Sequence, residues 1–211
     1  MSELRCYVFL DSLQPKYASF LGTVAQGFLP VPGQASLFVE VAPGMDIMRV
    51  TDVALKATDV RPGMMIIERL YGMLEVHSDS QADVRAAGRA ILESLGLKEE
   101  ERIKPEIFTS QVIRNISDYH CQLINRTRHG DMIEPGQTLY VMECAPAGYA
   151  AIAANEAEKA ADIKLVDFTP FGAFGRLYLA GSEAMIDVAA AAATAALEGI
   201  TGVAGGGGKE K

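Results

Sequence analysis

Two stretches decide the fold: Pro32-Gly-Gln-Ala-Ser-Leu-Phe-Val-Glu-Val-Ala-Pro43 and Pro135-Gly-Gln-Thr-Leu-Tyr-Val-Met-Glu-Cys-Ala-Pro146, set 103 residues apart. Each opens on Pro-Gly-Gln, carries a glutamate at the same place (Glu40, Glu143) and closes on Ala-Pro. The same offset pairs Lys56-Ala57 with Lys159-Ala160, Asp59 with Asp162, Gly72 with Gly175 and Leu74 with Leu177. It holds without a gap from Gly27/Gly130 to Leu74/Leu177, a register that chance matches do not keep. The chain is therefore two copies of one unit. An extra residue near Ser182 is expected to shift the register afterwards. The boundary is expected near Glu99–Arg102, where Lys98-Glu-Glu-Glu-Arg102 reads as a solvated linker. This gives units 1–101 and 102–202. Val203 to Lys211, with Gly205 to Gly208, reads as a flexible tail with nothing to pack.

Within a unit the signals alternate between strand and helix. Arg5–Leu10 and Ile107–Ile113 are rich in β-branched and aromatic residues, as are Leu37–Val41 and Leu139–Cys144, so all four read as strands. Ile47, Val50, Ala54 and Ala57 repeat at helical spacing, predicting a helix over about 47–58 with Asp46 as its cap. Met64–Glu68 and Tyr71–Val76 read as a strand pair. Ser78-Asp-Ser80 opens a helix to Leu95, stopped by Gly96, and an Ala-rich helix over about 183–197 repeats it. The fold class is α+β, a small sandwich used twice.

Composition narrows the function. The 211 residues are 49% hydrophobic with a net charge of −8, which argues against nucleic acid as a partner. No apolar run approaches the roughly 20 residues of a membrane span, and no leader pattern opens the chain, so a cytoplasmic protein is expected. Cys6, Cys121 and Cys144 are widely spaced and read as reduced thiols used as small hydrophobes. G-x-S-x-G, H-E-x-x-H and P-loop signatures are missing. His120-Cys121 has no second ligand pair at metal spacing, and His129-Gly-Asp131 reads as a turn. Neither an enzyme nor a metal or cofactor is indicated.

These residues resemble a known family, the bacterial microcompartment (BMC) shell domain. The likeness rests on Val39-Glu40, Ala54-Leu-Lys-Ala57, Ile67-Glu-Arg-Leu-Tyr-Gly72 and the helix Gln81–Leu95, with Ala157-Glu-Lys-Ala160 and Phe171-Gly-Ala-Phe-Gly175 in the same slots of the second unit. The extra strand ahead of the glutamate strand in each unit resembles the circularly permuted form of that domain. Two permuted domains in one chain are similar to tandem, trimer-forming shell proteins, the gated carboxysome type among them.

The resemblance implies two ferredoxin-like α/β sandwiches in a pseudohexameric homotrimer, a hexagonal tile in the shell of a cytoplasmic compartment. It implies a central pore for small metabolites, lined by Glu68, Arg69 and Leu70 from the first unit and by Phe171, Gly172 and Ala173 from the second. Glu68 and Arg69 would form its gate. Three arginines about 6 Å apart repel by about 0.7 kcal/mol per pair in water and about 3 at an effective dielectric of 20. Glu68 must therefore neutralise them or both must swing away, a bistable choice. Lys56 and Lys159 would lie at the tile edge. Other hexameric and pentameric shell proteins would be partners, and two trimers could stack. A trimeric α+β protein that binds small molecules for regulation is the alternative reading.

Overall fold

The computed structural model describes residues 2–205. The first unit runs β1 (Glu3–Leu10), α1 (Pro15–Val24), β2 (Ala35–Ala42), α2 (Ile47–Ala57), β3 (Arg61–Glu68), β4 (Tyr71–Ser78) and α3 (Gln81–Leu95). The second repeats it as β5 (Glu106–Ile113), α4 (Asp118–Thr127), β6 (Thr138–Ala145), α5 (Ala150–Ala160), β7 (Lys164–Thr169), β8 (Gly175–Gly181) and α6 (Glu183–Glu198). Each unit builds one four-stranded antiparallel sheet, in the orders β1-β2-β4-β3 and β5-β6-β8-β7. The architecture is α+β, as the alternation of signals predicts.

The registers repeat residue for residue. Cys6 faces Glu40 where Thr109 faces Glu143. Arg61 faces His77 where Lys164 faces Ala180. Ser80 and Ser182 then cap α3 and α6, accepting from Asp83 N and Met185 N. These caps are 102 apart, so the register shift is a residue missing from the second unit rather than one added: Asp79 has no counterpart.

Gly96 ends α3 in the left-handed conformation (φ 69°), which a side chain would disfavour. Asp46 does not cap α2. It is already helical (φ −62°) and belongs to the 3-10 turn Gly44–Asp46, and its carboxylate accepts from Ser2 instead. Ile47, Val50 and Ala54 form the buried stripe of α2, while Ala57 in its last turn is exposed.

Sheet alternation sends Leu37, Val39, Leu74 and Val76 to one face, under α2 and α3. Cys6, Val8, Phe38 and Met73 go to the other face, under α1 and the second unit. That second core is continuous with the core between β6, β8, α5 and α6, so one apolar body spans both halves. The α4 side of the second sheet, with Ile116, Cys121, Leu139 and Val166, is a separate small cluster.

In the charged stretch at 98–102, Lys98 to Glu101 are exposed as expected, and Arg102 is the exception. Glu99–Glu101 make a 3-10 turn, and Arg102 is only 13% exposed. Its guanidinium donates to Tyr7 O (2.8 Å) and Thr201 O (3.0 Å). Val203 is not loose either: it bridges Ile103, donating to Arg102 O and accepting from Lys104 N, both at 2.8 Å. Of the expected tail, 206–211 lie outside the described residues.

Candidate functional site

Two hairpin tips carry the residues singled out by sequence. Glu68 ends β3, Tyr71 begins β4, and Arg69-Leu70 form a two-residue turn between them. Arg69 has φ 53°, a positive value at the first central residue that glycine adopts without strain and arginine does not. Its side chain is 88% exposed and only loosely paired, Nε to Glu68 Oε1 at 3.8 Å. An exposed pair at that distance contributes at most about 1 kcal/mol. Leu70 is exposed too.

In the second unit Phe171-Gly172-Ala173 follow β7. Gly172, 103 residues after Arg69, has φ 93°. Phe171 is half-buried and rests on the shared core. The fold brings the two tips together: a methyl carried on Gly172 would stand 3.5 Å from Glu68 Cγ.

The tips meet because the two units are joined tightly behind them. Glu40, 1% exposed, accepts from Arg5 Nε (2.8 Å) with one oxygen and from Gly148 N (3.0 Å) with the other. Burial pushes its carboxyl above the usual 4.5, opposed by the Arg5 hydrogen bond and charge and by the Gly148 and Ala147 amides. Arg5 also stacks on Tyr71, 3.5 Å from the ring centre, at the foot of the first hairpin. Further along the joint, the Glu158 carboxylate accepts from Lys16 N and Tyr17 N, where the first turn of α1 has free amides. Asn155 bonds both Gln14 N and Ser12 O. The sequence reading missed these residues, since their partners lie more than 140 positions away.

Lys159 reaches across the joint to Asp11 (3.2 Å) and along its own helix to Glu156 (3.0 Å). Burial works against its charge, but these hydrogen bonds outweigh it and hold the pKa above the usual value. Lys56 is exposed and, among the described residues, pairs only with Asp52 on its own helix (2.8 Å). The three cysteines are free and buried, and burial pushes the Cys144 thiol up to about 12. Among the described residues no three His, Cys, Asp or Glu side chains are grouped to hold a metal ion. No helix there is long and apolar enough to cross a membrane.

A buried polar group in the first unit also escaped sequence reading. Glu75 accepts from Ser36 Oγ (2.5 Å) and from Gly63 N (3.0 Å) at a bulge of β3, with His77 Nδ1 at 3.1 Å. Its trace in the sequence is a mismatch between repeats, because Ser36, Glu75 and His77 answer to Leu139, Tyr178 and Ala180.

Comparison with known proteins decides the family. The first unit, residues 4–101, matches the model of the CsoS1D N-terminal domain. The chain is 56% identical over 200 residues to the carboxysome shell protein CcmP of Synechococcus elongatus, covering 95% of this chain and 94% of that one. The chain belongs to the CcmP/CsoS1D family of carboxysome shell proteins. Two solved structures superpose with a TM-score of 0.93. One is a fused permuted hexameric shell protein of the RMM microcompartment, 48% identical, covering 95% of this chain and 99% of that one. The other is a double ringed trimeric shell protein of the same compartment, 40% identical, covering 97% and 100%. The permuted tandem fold implied by the family resemblance is thus the fold of this CcmP/CsoS1D-type chain, which is a structural shell protein. The regulatory alternative falls with that membership.

Proposed function

We propose that three copies of this shell protein close into a hexagonal tile, with Glu68–Leu70 and Phe171–Ala173 alternating around a central pore for small metabolites. Glu68 and Arg69 are its gate, and 1–101 and 102–202 are the two units of each copy. One observation carries this reading: the joint between units is made once within the chain, and its counterpart is left open. β1 is buried against the second unit, whereas β5, its equivalent, is largely exposed. Open on that side are Phe108, Tyr119 (81% exposed) and Leu123. Open on the first unit, at the positions answering to the α5 side of the joint, are Met45, Met48 and Leu55.

Glu143 answers to Glu40, and Met45 answers to Gly148. Glu143 holds only Arg176 and Thr109 of its own unit, so it is free to accept the Met45 amide of a second copy. Such a head-to-tail contact makes a ring when it closes. The trimeric likeness of the RMM protein supports closure at three, and its double ring supports a stacked pair of trimers. Hexameric and pentameric shell proteins are the partners at the tile rim.

Native mass spectrometry with negative-stain imaging tests this. Trimers, or pairs of trimers, that array edge to edge are expected, and a monomer at all concentrations overturns the reading. The gate is tested separately. Cryo-electron microscopy of Glu68→Gln/Arg69→Gln tiles should find one pore state where the wild type has two.

A further inference from the structure

The joint inside the chain specifies a contact that no single copy contains. It seats the second tip on the first so that position 172 lies beside Glu68. The strand pairings repeat at a fixed offset of 103 up to Ile66/Met73 and Thr169/Arg176, and the two tips beyond, 67–71 and 170–174, are equally long. The position answering to Glu68 is therefore 171, and the one answering to 172 is 69. A joint of the same geometry between copies sets position 171 of one copy beside position 69 of the next. We propose that the Arg69 guanidinium of each copy rests on the Phe171 ring of its neighbour, so that each pore contact is completed by a second copy. This rests on the ring proposed above.

The chemistry of both residues fits. Arg69 is nine-tenths exposed, beyond hydrogen-bond reach of Glu68, and fixed at its root by a positive-φ turn. Of the two phenylalanines in the second loop, Phe174 packs on Phe108 (5.1 Å) and Phe171 is backed by the core. A guanidinium over an aromatic face is attractive, and more so where water is reduced. Among the described residues the chain already uses this contact three times, with Arg5 on Tyr71 at 3.5 Å, Arg85 on Phe9 at 3.7 Å and, more loosely, Arg61 on Phe28 at 5.8 Å. Docking each arginine on a neighbouring ring draws three like charges away from the axis and leaves Glu68 against Gly172 of its own chain. The gate then has two alternatives for Arg69: Phe171 of the next copy, or the carboxylate beside it.

Cysteine pairs in the full chain test the placement. Arg69→Cys with Phe171→Cys, oxidised by oxidised glutathione, should give covalent dimers and trimers on a non-reducing gel. Glu68→Cys with Gly172→Cys should bond within one chain and keep its single-chain mass. A trimeric native mass with no link between copies at 69 and 171 overturns the proposal while leaving the ring intact. A monomeric native mass overturns the ring itself. A second measurement does not depend on the cysteine variants folding. Phe171→Leu and Arg69→Gln should each raise the concentration of half-dissociation roughly fivefold, with the double variant no worse than either. Multiplying effects would mean the two side chains do not meet, and Phe171→Tyr should behave as wild type.

Discussion

Arg69 and Gly172 occupy one position of one fold, yet they solve it differently. Both tips require positive φ there, 53° and 93°. The second unit meets the requirement with the residue that has no Cβ, and the first meets it with a long cation. The left-handed conformation costs a side-chain-bearing residue roughly 1–2 kcal/mol. The first tip thus carries strain that its twin avoids, and local strain of this kind gathers at functional positions. The same contrast runs through the joints. Glu40 is buried with both oxygens in use, whereas Glu143 is half-exposed with bonds only inside its own unit. One unit has met its partner inside the chain; the other presents the same surface to the outside.

The sharpest way to break this comparison is at the two glutamates. Glu40→Ala leaves the partly buried Arg5 with only Glu3 at 3.6 Å and the Gly148 amide without its acceptor, and should destabilise the chain by about 3–5 kcal/mol, read as a fall in unfolding midpoint of about 10 °C. Glu143→Ala should cost the monomer less than about 1 kcal/mol, its loss appearing in ring dissociation instead. Equal thermal effects would mean that the two joints are not one design.

The tips come next. Gly172→Ala should cost about 1 kcal/mol, all of it from the backbone, since the added methyl meets Glu68 at an ordinary 3.5 Å. Arg69→Gly relieves the strain but loses about 0.5–1 kcal/mol to a freer unfolded chain, so a net gain of under about 1 kcal/mol is expected by denaturant titration.

The lysines offer a smaller test. Lys159→Ala should cost about 1 kcal/mol and Lys56→Ala under 0.5, because only Lys159 spans the joint. The smallest effect is a slope. Glu40 has its carboxyl raised by burial, so its contribution is full below about 4.5 and is lost as pH rises through the folded value. Glu40→Gln should therefore gain on the wild type in paired thermal melts as pH rises above about 4.5, and level off once the pH has passed the folded value.

Much of this was legible because repeats expose their own register. Pro-Gly-Gln at 33 and 136 marks positive-φ turns before β2 and β6, and the strand and helix ends fall within a few residues of the expected bounds. What stayed hidden is long-range. Nothing local distinguishes Glu158, the cap of α1, from any other helix glutamate. Arg102 looked like part of a solvated run because its acceptors, Tyr7 O and Thr201 O, are backbone atoms with no sequence signature. The exposure of β5 did leave a trace, since Thr109-Ser-Gln111 stand where the buried β1 has Cys6-Tyr-Val8, but the pattern does not say what covers either strand.

The cap on α1 also orders events in time. Tyr17 leaves the ribosome 141 residues before the carboxylate that completes its helix. At about 5–20 residues per second, the first half waits on the order of 10 s with Tyr17, Phe20 and Leu21 uncovered. During that interval a half-made chain carries the surface that accepts a second unit, and a neighbour whose second unit has emerged but not yet docked carries its match. A protein that works by pairing its halves must therefore be made faster than its nascent copies find one another.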